Sequence, residues 1–390
     1  MKLKRIELRN FTVFEDNDFD FSPGLNVFIG ANATGKSHLM KLLYSALWTS
    51  RKKGASGGDL VGAERFPLES RLGAKLAAVF KPSKGLVQRL VTRRFDHASA
   101  KVVVRNDEGG SLSFGIAPSG SIRVDEKNLS FEEKSIFIPS REVLALYEGF
   151  IAAYSERELA FDETYYDLCL ALSLGMKKWA GLESAAALIG DLDGVLGGSV
   201  ELEGGRFYVY TDDGIFEAQL MSEGLRKVAS LVCLALNGSL TQNGFLFWDE
   251  PEANLNPRLV TKIAEVLRRL AAAGVQVFVA THDYLLTQEL SLAAEYADQQ
   301  PPELRCPIRF FALSRGAKGA VNAESGGTLA ELPENPILDE FSALYDRRRS
   351  FFDANPEVAG TRRSSTKANC DSSLTHNGVL TGTMAGRTGI

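Results

Sequence analysis

The sequence has few of the residues that mark disulfide-stabilised, metal-binding or membrane-spanning proteins. Its 390 residues include four cysteines, which are scattered without the spacing of a metal or redox site. It has no apolar run of about 18 residues, the length that would cross a membrane. The opening residues MKLKRIELRNF alternate as a strand does and do not resemble a secretion signal. We therefore expect a cytoplasmic protein with reduced cysteines and no membrane partner.

The sequence also lacks a large excess of charge of either sign. Its net charge of −5 gives the whole chain no attraction to nucleic acid or membranes. One segment departs from this balance, because residues 71–105 contain nine basic residues and one acid, Asp96. If these bases share one face of a sheet, that face could follow the backbone of DNA. The alternative is a solvated surface whose charges are divided between both sides of the strands.

The clearest functional signal is the segment GANATGKS, residues 30–37, which follows an apolar run and precedes a helix-like segment. It fits the pattern of a phosphate-binding loop, in which glycines let backbone N–H groups surround a phosphate at a helix start. Lys36 would reach the β- and γ-phosphates, and the Ser37 hydroxyl would hold Mg²⁺. A glycine turn with a chance Lys-Ser pair is the alternative. The predicted nucleotide-binding residues of the loop are Gly30, Asn32, Gly35, Lys36 and Ser37.

A second candidate site follows the apolar run FLFW in FLFWDEPEANLNP. A buried parallel strand would deliver Asp249 and Glu250 to the sheet edge that carries the phosphate loop. Asp249 would then contribute to the Mg²⁺ site, and Glu250 would orient and polarise the attacking water. Two solvated acids at a strand end are the alternative, which the phosphate loop in the same chain makes weaker.

Two further segments extend the predicted site. FVATHD places His282 at the end of the next buried strand, where it could bond the γ-phosphate as a sensor of cleavage. MSEGLRKVASL places Ser222 and Gly224 at a helix start, which offers a hydroxyl and free N–H groups to an anion. Because the chain already has one phosphate loop, this second anion site makes sense if it faces the nucleotide of another subunit.

Together these motifs resemble the ABC-type ATPase fold, and more narrowly the SMC, RecF and OLD-like ATPase heads. The segment IFIPSREVL also resembles a strand found in small bacterial ATPases of this group, many of them in anti-phage defence or toxin-like modules. The resemblance covers residues 1–48 and 215–290 well and residues 135–145 weakly. It implies a homodimer, or a higher oligomer, in which each ATP is held between Lys36 of one copy and Ser222 of the other. Hydrolysis at Glu250 would reopen the pair.

The resemblance also assigns a dimer-interface loop, and the signature segment departs from the family pattern at two positions. The interface loop would include Asn254, Asn256 and Pro257. In the signature, Glu223 stands where the family has its first glycine and Leu225 where it has a polar residue, so the extra acid could slow turnover or require an activator.

The remaining family roles have more than one candidate in this sequence. The family's Mg²⁺-bridging glutamine has no clear counterpart, and Gln88 and the segment of Arg141 and Glu142 are the candidates. Phe11 or Phe14 could stack on adenine, or both could pack inside the N-terminal lobe.

The predicted fold class is α/β, a P-loop ABC-type ATPase with a parallel core sheet, an antiparallel N-terminal lobe and a short helical insertion. We expect one head over residues 1–350 and a flexible tail over 355–390, which is rich in Gly, Ser and Thr. Short alternating runs over residues 72–126 predict an antiparallel meander. The absence of sustained heptads argues against a long coiled coil. The sequence also has no acidic cluster with the spacing of a metal site, so we do not expect a built-in nuclease. Within the head we expect an N-terminal lobe over about 1–135, a helical insertion over about 141–190 and a signature and catalytic lobe over about 200–350.

Three functions agree with these motifs. The first is an ATP-hydrolysing, dimerising switch that acts on DNA or on a partner effector, in anti-phage defence. The second is a scaffold in which ATP binding locks an assembly that holds a separate toxin or nuclease, with slow turnover. The third is DNA repair in the manner of RecF.

Overall fold

The computed structural model describes residues 1–52, 66–92, 98–156, 159–175, 188, 196–316, 319–333 and 335–354. The chain divides into two compact units, residues 1–337 and residues 338–390. The described residues of the second unit are helical and end at Ala354. The predicted tail over residues 355–390 lies outside the described residues and stays a prediction, as do the predicted boundaries of the head.

The strands and helices have the following bounds. The strands are β1 (Leu3–Phe11), β2 (Phe14–Asp20), β3 (Leu25–Gly30), β4 (Ala100–Asn106), β5 (Ser111–Ile116), β6 (Ile122–Lys127), β7 (Ser135–Ile138), β8 (Gly198–Glu203), β9 (Arg206–Thr211), β10 (Gly214–Glu217), β11 (Phe245–Asp249), β12 (Gln276–Thr281), β13 (Ile308–Arg315) and β14 (Val321–Gly326). The helices are α1 (Lys36–Ser50), α2 (Leu68–Phe80), α3 (Phe150–Ser155), α4 (Glu163–Leu172), α5 (Glu223–Leu236), α6 (Pro257–Ala272), α7 (Tyr284–Glu295) and α8 (Pro336–Ala354).

The core of the first unit is a mainly parallel sheet. Within the described ranges its strands lie in the order β14, β13, β3, β12, β11 and β7. The strands from β13 to β7 pair in parallel, and β14 pairs with β13 in the antiparallel direction. Strands β3 and β12 are buried along their whole length, which agrees with their continuous apolar sequence. The loops that follow β3, β11 and β12 therefore meet at one edge, as the predicted parallel core requires.

A second, antiparallel sheet forms the N-terminal lobe. Its strands lie in the order β2, β1, β4, β5 and β6. Aromatic side chains, among them Phe19, Phe28 and Phe311, join this sheet to one face of the core sheet. The predicted combination of an antiparallel lobe with a parallel core is confirmed.

The predicted meander is wrong over its first part. Residues 72–80 lie in helix α2, and residues 87–90 form a short 3-10 helix, so the meander starts only at β4. Leu72, Leu76 and Val79 are buried with the spacing of one helix face, and this period explains the helix. Residues 93–97, also in the predicted meander, lie outside the described residues.

The predicted helical insertion contains α3 and α4, and α4 is fixed to α1 and α2 by buried charges. The Lys75 side chain is 1% exposed, and its Nζ lies 2.5 Å from Asp167 Oδ2 and 3.1 Å from Glu163 Oε2. The Tyr44 hydroxyl donates a hydrogen bond of 2.6 Å to the same Asp167 oxygen. Charges paired in this way tolerate burial, so α4 is held against the helix that follows the phosphate loop.

A hairpin with its turn at residues 204–205, and a third strand beside it, lie between the helical insertion and α5. Strands β8, β9 and β10 form a separate antiparallel sheet just before α5.

Candidate nucleotide site

The candidate phosphate-binding loop connects β3 to α1. Gly30 and Gly35 have φ angles of 147° and 99°, which strain any residue with a side chain. A Cβ on Gly30 would also lie 2.3 Å from the Leu313 carbonyl oxygen, and one on Gly35 would lie 2.6 Å from Val13. Both glycines are therefore required by the path of the backbone. A path of this kind exposes N–H groups at the start of a helix.

Lys36 is buried at the start of α1. Its side-chain nitrogen donates hydrogen bonds of 2.7 Å to the Gly30 carbonyl and 3.0 Å to the Ala31 carbonyl. Burial lowers the pKa of Lys36, and the nearby charges of Asp249 and Glu250 act in the opposite direction. In the described part of the chain, no carboxylate lies within ion-pair distance of the Lys36 nitrogen, and this favours an anionic ligand.

Ser37 and Asp249 meet although they are 212 positions apart in the chain (249 − 37). Burial raises the pKa of the Asp249 carboxyl, and hydrogen bonding from the Ser37 hydroxyl together with the positive charge of Lys36 acts to lower it. Asn32, the fifth predicted loop residue, lies exposed in the loop.

The two predicted catalytic side chains are neighbours at the same sheet edge. Glu250 follows β11 with a φ of 52°, and its N–H donates a hydrogen bond of 2.9 Å to the Ala280 carbonyl of β12. Its Oε1 lies 3.4 Å from His282 Nδ1. The Glu250 and His282 side chains are 34% and 51% exposed, so both are open to a ligand. A left-handed backbone at a glutamate is a strain that clusters at functional sites.

The structure adds Glu252, which the sequence reasoning missed. Its Oε1 accepts hydrogen bonds of 2.6 Å from the Thr281 hydroxyl and 3.3 Å from the His282 N–H. The other oxygen, Oε2, is buried without a hydrogen-bond partner among the described residues. Burial raises the pKa of Glu252, which means that the fold opposes its ionisation. In the sequence, the residue that could have indicated Glu252 is Thr281, because a buried hydroxyl in an apolar strand requires a polar partner.

The predicted signature residues lie at the start of α5. Ser222 is the exposed N-cap residue and, in the part of the chain that is described, its hydroxyl makes no capping bond. Gly224 is buried, and a Cβ there would lie 2.6 Å from the Leu255 side chain and 3.3 Å from the Asn254 carbonyl oxygen. The helix start therefore packs against the predicted interface loop of the same chain. Glu223 puts a negative charge into the first turn of α5.

The two candidates for the Mg²⁺-bridging role lie in different parts of the structure. Gln88 lies in the 3-10 helix between α2 and β4, beside the turn at Gly120. Glu142 is buried and its Oε2 lies 2.6 Å from Arg226 Nε on α5, whereas Arg141 is exposed just after β7. Strand β7 runs parallel to β11, so the segment of Arg141 is the candidate that ends at the same sheet edge as Asp249.

The two candidate adenine-stacking residues belong to the core. Phe11 and Phe14 are both 0% exposed, and the Phe14 ring lies against Gly35. Neither ring is available to stack on a base, so the packing alternative holds.

The basic segment does not form one free face. Lys75 is buried beside Asp167, Arg105 Nη2 lies 3.4 Å from Glu7 Oε1, and Arg71 donates to a backbone carbonyl of α1. The exposed basic residues of the segment are Lys81, Lys84, Arg89 and Lys101, while Arg93 and Arg94 lie outside the described residues. The structure thus favours the alternative of a divided charge.

Comparison with known proteins identifies the family. Residues 25–287, most of the chain, match the family model described as "AAA domain, putative AbiEii toxin, Type IV TA system". The chain is similar to the DNA replication and repair protein RecF of Lactococcus lactis subsp. cremoris (strain MG1363), with 39% identity over 61 residues, 16% of this chain and 17% of that protein. RecF of Lactobacillus acidophilus (strain ATCC 700396 / NCK56 / N2 / NCFM) is 37% identical over 62 residues, 16% of each chain. The matches thus span about a sixth of the length of these relatives.

A solved structure supports the same fold. The SMC head bound to the C-winged helix domain of ScpA superposes with a TM-score of 0.51 at 14% identity, covering 84% of this chain and 98% of that chain. The fold and the motifs together define an SMC/RecF-like ABC-type ATPase fold. The chain belongs to the AAA-domain family whose model it matches over residues 25–287. Along the ranges that the structure describes, it has no helix with the length and apolar character needed to cross a membrane.

Proposed function

We propose that this protein is an ATP-binding and ATP-hydrolysing switch that dimerises around nucleotide and acts on DNA or on a partner effector. One observation carries the proposal: Lys36, Ser37, Asp249, Glu250 and His282 come from three separate segments and converge at one edge of the parallel sheet. This is the set that phosphoryl transfer to water needs, because it combines a phosphate cradle, a metal site and a base.

The residues of the loop fit ATP and Mg²⁺. Among the described residues, Lys36 donates hydrogen bonds only to backbone carbonyls of the loop, so a phosphate oxygen would be a stronger partner for its charge. Ser37 and Asp249 present two adjacent oxygen donors, the ligand type that Mg²⁺ prefers. When bound, Mg²⁺ would neutralise charge on the transferred phosphoryl group.

Glu250 is the proposed general base. Its carboxylate would orient a water molecule and accept a proton from it as the water oxygen bonds to the γ-phosphorus and the bond to the β–γ bridging oxygen breaks. His282 Nδ1 lies 3.4 Å from Glu250 Oε1, so the histidine could contact both the γ-phosphate and the base. The carboxylate of Glu252 accepts a hydrogen bond from the backbone N–H of His282 and so fixes the backbone there.

The proposed dimer is head to tail. Ser222 and the N–H groups at the start of α5 would contact the nucleotide bound to Lys36 of the second copy. Support comes from the exposed Ser222 hydroxyl and from the packing of Gly224 against the loop at Leu255. Asn254, which has a φ of 64°, lies in the same loop.

Steady-state ATP hydrolysis tests the proposed activity. Glu250→Gln should lower kcat by about 10²-fold or more, the usual contribution of a positioned base, with ATP binding retained. Lys36→Ala should abolish binding itself. Hydrolysis that persists in purified Glu250→Gln would contradict the assignment of the base, and tight ATP binding by Lys36→Ala would contradict the loop.

A scaffold with slow turnover is the second candidate, and Glu223 favours it. Its carboxylate lies in the first turn of α5, next to the proposed contact with the partner's γ-phosphate. Like charges at such a site weaken the closed state. If this candidate is correct, Glu223→Gly should raise the turnover rate, and the wild-type protein should capture its effector with ATP bound but uncleaved.

The biological setting is part of the proposal. The family description names a putative toxin of a toxin–antitoxin system, and this supports defence against phage with a separate toxin or nuclease as effector. The similarity to RecF, a DNA replication and repair protein, supports DNA repair as the alternative. The SMC head that shares the fold was solved with a partner protein, and this supports a protein effector. We propose a cytoplasmic location for each case.

A further inference from the structure

A buried lysine connects helix α5 to the turn that carries Glu250. Lys227 is 2% exposed, and its Nζ donates hydrogen bonds of 2.9 Å to the Ala253 carbonyl and 3.3 Å to the Glu250 carbonyl. Among the described residues, no carboxylate lies within ion-pair distance of this nitrogen. The hydrogen bonds to the Glu250 and Ala253 carbonyls are therefore the contacts that fix the position of the Lys227 amine.

Such a lysine is unusual for a helix that packs into a core. Lysine is rarely buried without a charge partner, and an apolar residue of the same length would fill the space with less cost. Burial lowers the pKa of Lys227, while Glu223, Glu252, Glu250 and Glu142 raise it. The fold keeps the amine where it can bond two backbone carbonyls, and this indicates a role in holding the turn.

The turn is the part of the site that most needs support. Glu250 has a φ of 52°, which a non-glycine residue adopts only when its surroundings enforce it. On one side its N–H donates to the Ala280 carbonyl of β12, and on the other its carbonyl accepts from Lys227. The backbone of the proposed base is thus fixed between β12 and α5.

We propose that Lys227 is a positioning residue that couples the start of α5 to Glu250. This inference rests on the proposed ATPase function. Gly224, one turn before Lys227, packs against Leu255, so α5 touches the 250–255 loop at two points. A phosphate of the second copy that docks at Ser222 would act on the same helix. Lys227 passes that contact to the backbone of the base, and so links dimer closure to hydrolysis.

Lys227→Met tests the coupling, because it keeps the length of the side chain and removes the donor. We expect kcat to fall by about 10²-fold, the effect of a catalytic group displaced by about 1 Å, while KM for ATP changes little. Lys227→Arg keeps a charged donor and should recover most of kcat. If Lys227→Met does not fold, Lys227→Gln takes its place with the same expected loss, because the Gln side chain is one bond shorter, carries no charge and does not span the distance to the two carbonyls.

Lys75→Met is the matched control. Lys75 is also fully buried, but its partners are Asp167 and Glu163 on α4. This variant should lower the thermal stability and leave kcat of the folded enzyme near the wild-type value. A general effect of removing a buried lysine would lower kcat in both variants, and that result would overturn the proposal.

Hydrogen exchange provides a readout that does not depend on turnover. In Lys227→Met without nucleotide, amides of residues 250–256 should exchange faster than in the wild type, while those of α1 stay protected. Lys75→Met should not change exchange over residues 250–256. Unchanged exchange there in Lys227→Met overturns the proposal. Wild-type protein that neither binds nor hydrolyses ATP would instead overturn the proposed function, so the two failures are distinct.

Discussion

Gly224 lies so close to Leu255 that a Cβ on the glycine would come within 2.6 Å of a leucine methyl carbon. The start of α5 and the loop after β11 therefore fit together inside one chain. This contact gives the glycine of the proposed signature a packing role besides any role in phosphate binding.

Gly224→Ala should lower the free energy of unfolding by about 1–3 kcal/mol, the usual cost of overpacking. Leu255→Ala in the same chain should recover part of that loss, because it makes room for the added methyl group. Urea unfolding without nucleotide measures both effects. Gly175→Ala is the control, since a Cβ there meets open space, and it should change stability by less than about 0.5 kcal/mol. Strictly additive effects of Gly224→Ala and Leu255→Ala would contradict the contact.

The buried Lys36 predicts a dependence of stability on pH. Its pKa is lowered in the folded protein, so between the folded and unfolded values the unfolded chain binds more protons. Stability from this group should therefore rise as the pH increases through that window toward 10.5, the value of a free lysine.

The test compares wild type with Lys36→Met without nucleotide. Thermal unfolding should show the wild type gaining stability relative to the variant as the pH rises from neutral to alkaline. Lys262→Met, on the exposed face of α6, is the control and should show no such trend. A constant difference between wild type and Lys36→Met across this range would mean that the amine is not desolvated.

DNA binding should depend on nucleotide if the switch acts on DNA. Glu250→Gln with Mg-ATP should bind duplex DNA with an affinity that falls steeply as salt increases, and should bind weakly without nucleotide. Replacing exposed Arg89 or Lys101 with alanine should reduce the salt slope by about one unit each if these residues contact phosphate. Arg123→Ala, an exposed base outside the segment, is the control. If the protein binds DNA neither with nor without nucleotide, an effector protein is favoured as the partner.

The order of the motifs made the core of the site predictable. A phosphate loop, an Asp-Glu strand end and a Thr-His-Asp strand end can converge only if their strands are parallel neighbours, and β3, β12 and β11 are such neighbours. The glycine positions followed from the same pattern, since the fold leaves no space for a side chain at Gly30.

The contacts that position the site were not predictable in the same way. Lys227 has the sequence context of a solvated lysine on an amphipathic helix, and only the packing of α5 on the 250–255 loop buries it. Glu252 is one acid in a polar loop until Thr281 is seen to face it. Residues 72–80 form part of a helix and not a strand, and the sequence does not separate the two because its short apolar runs fit both periods.

The mass of Glu250→Gln in solution, measured with and without Mg-ATP, shows whether the protein dimerises around nucleotide. We expect a monomer without nucleotide and a dimer with it, because blocked hydrolysis should trap the closed pair. Ser222→Arg in the same background should remain monomeric while it still binds ATP, since a large side chain would occupy the proposed contact. A Glu250→Gln protein that binds ATP and remains a monomer would contradict the nucleotide-gated dimer.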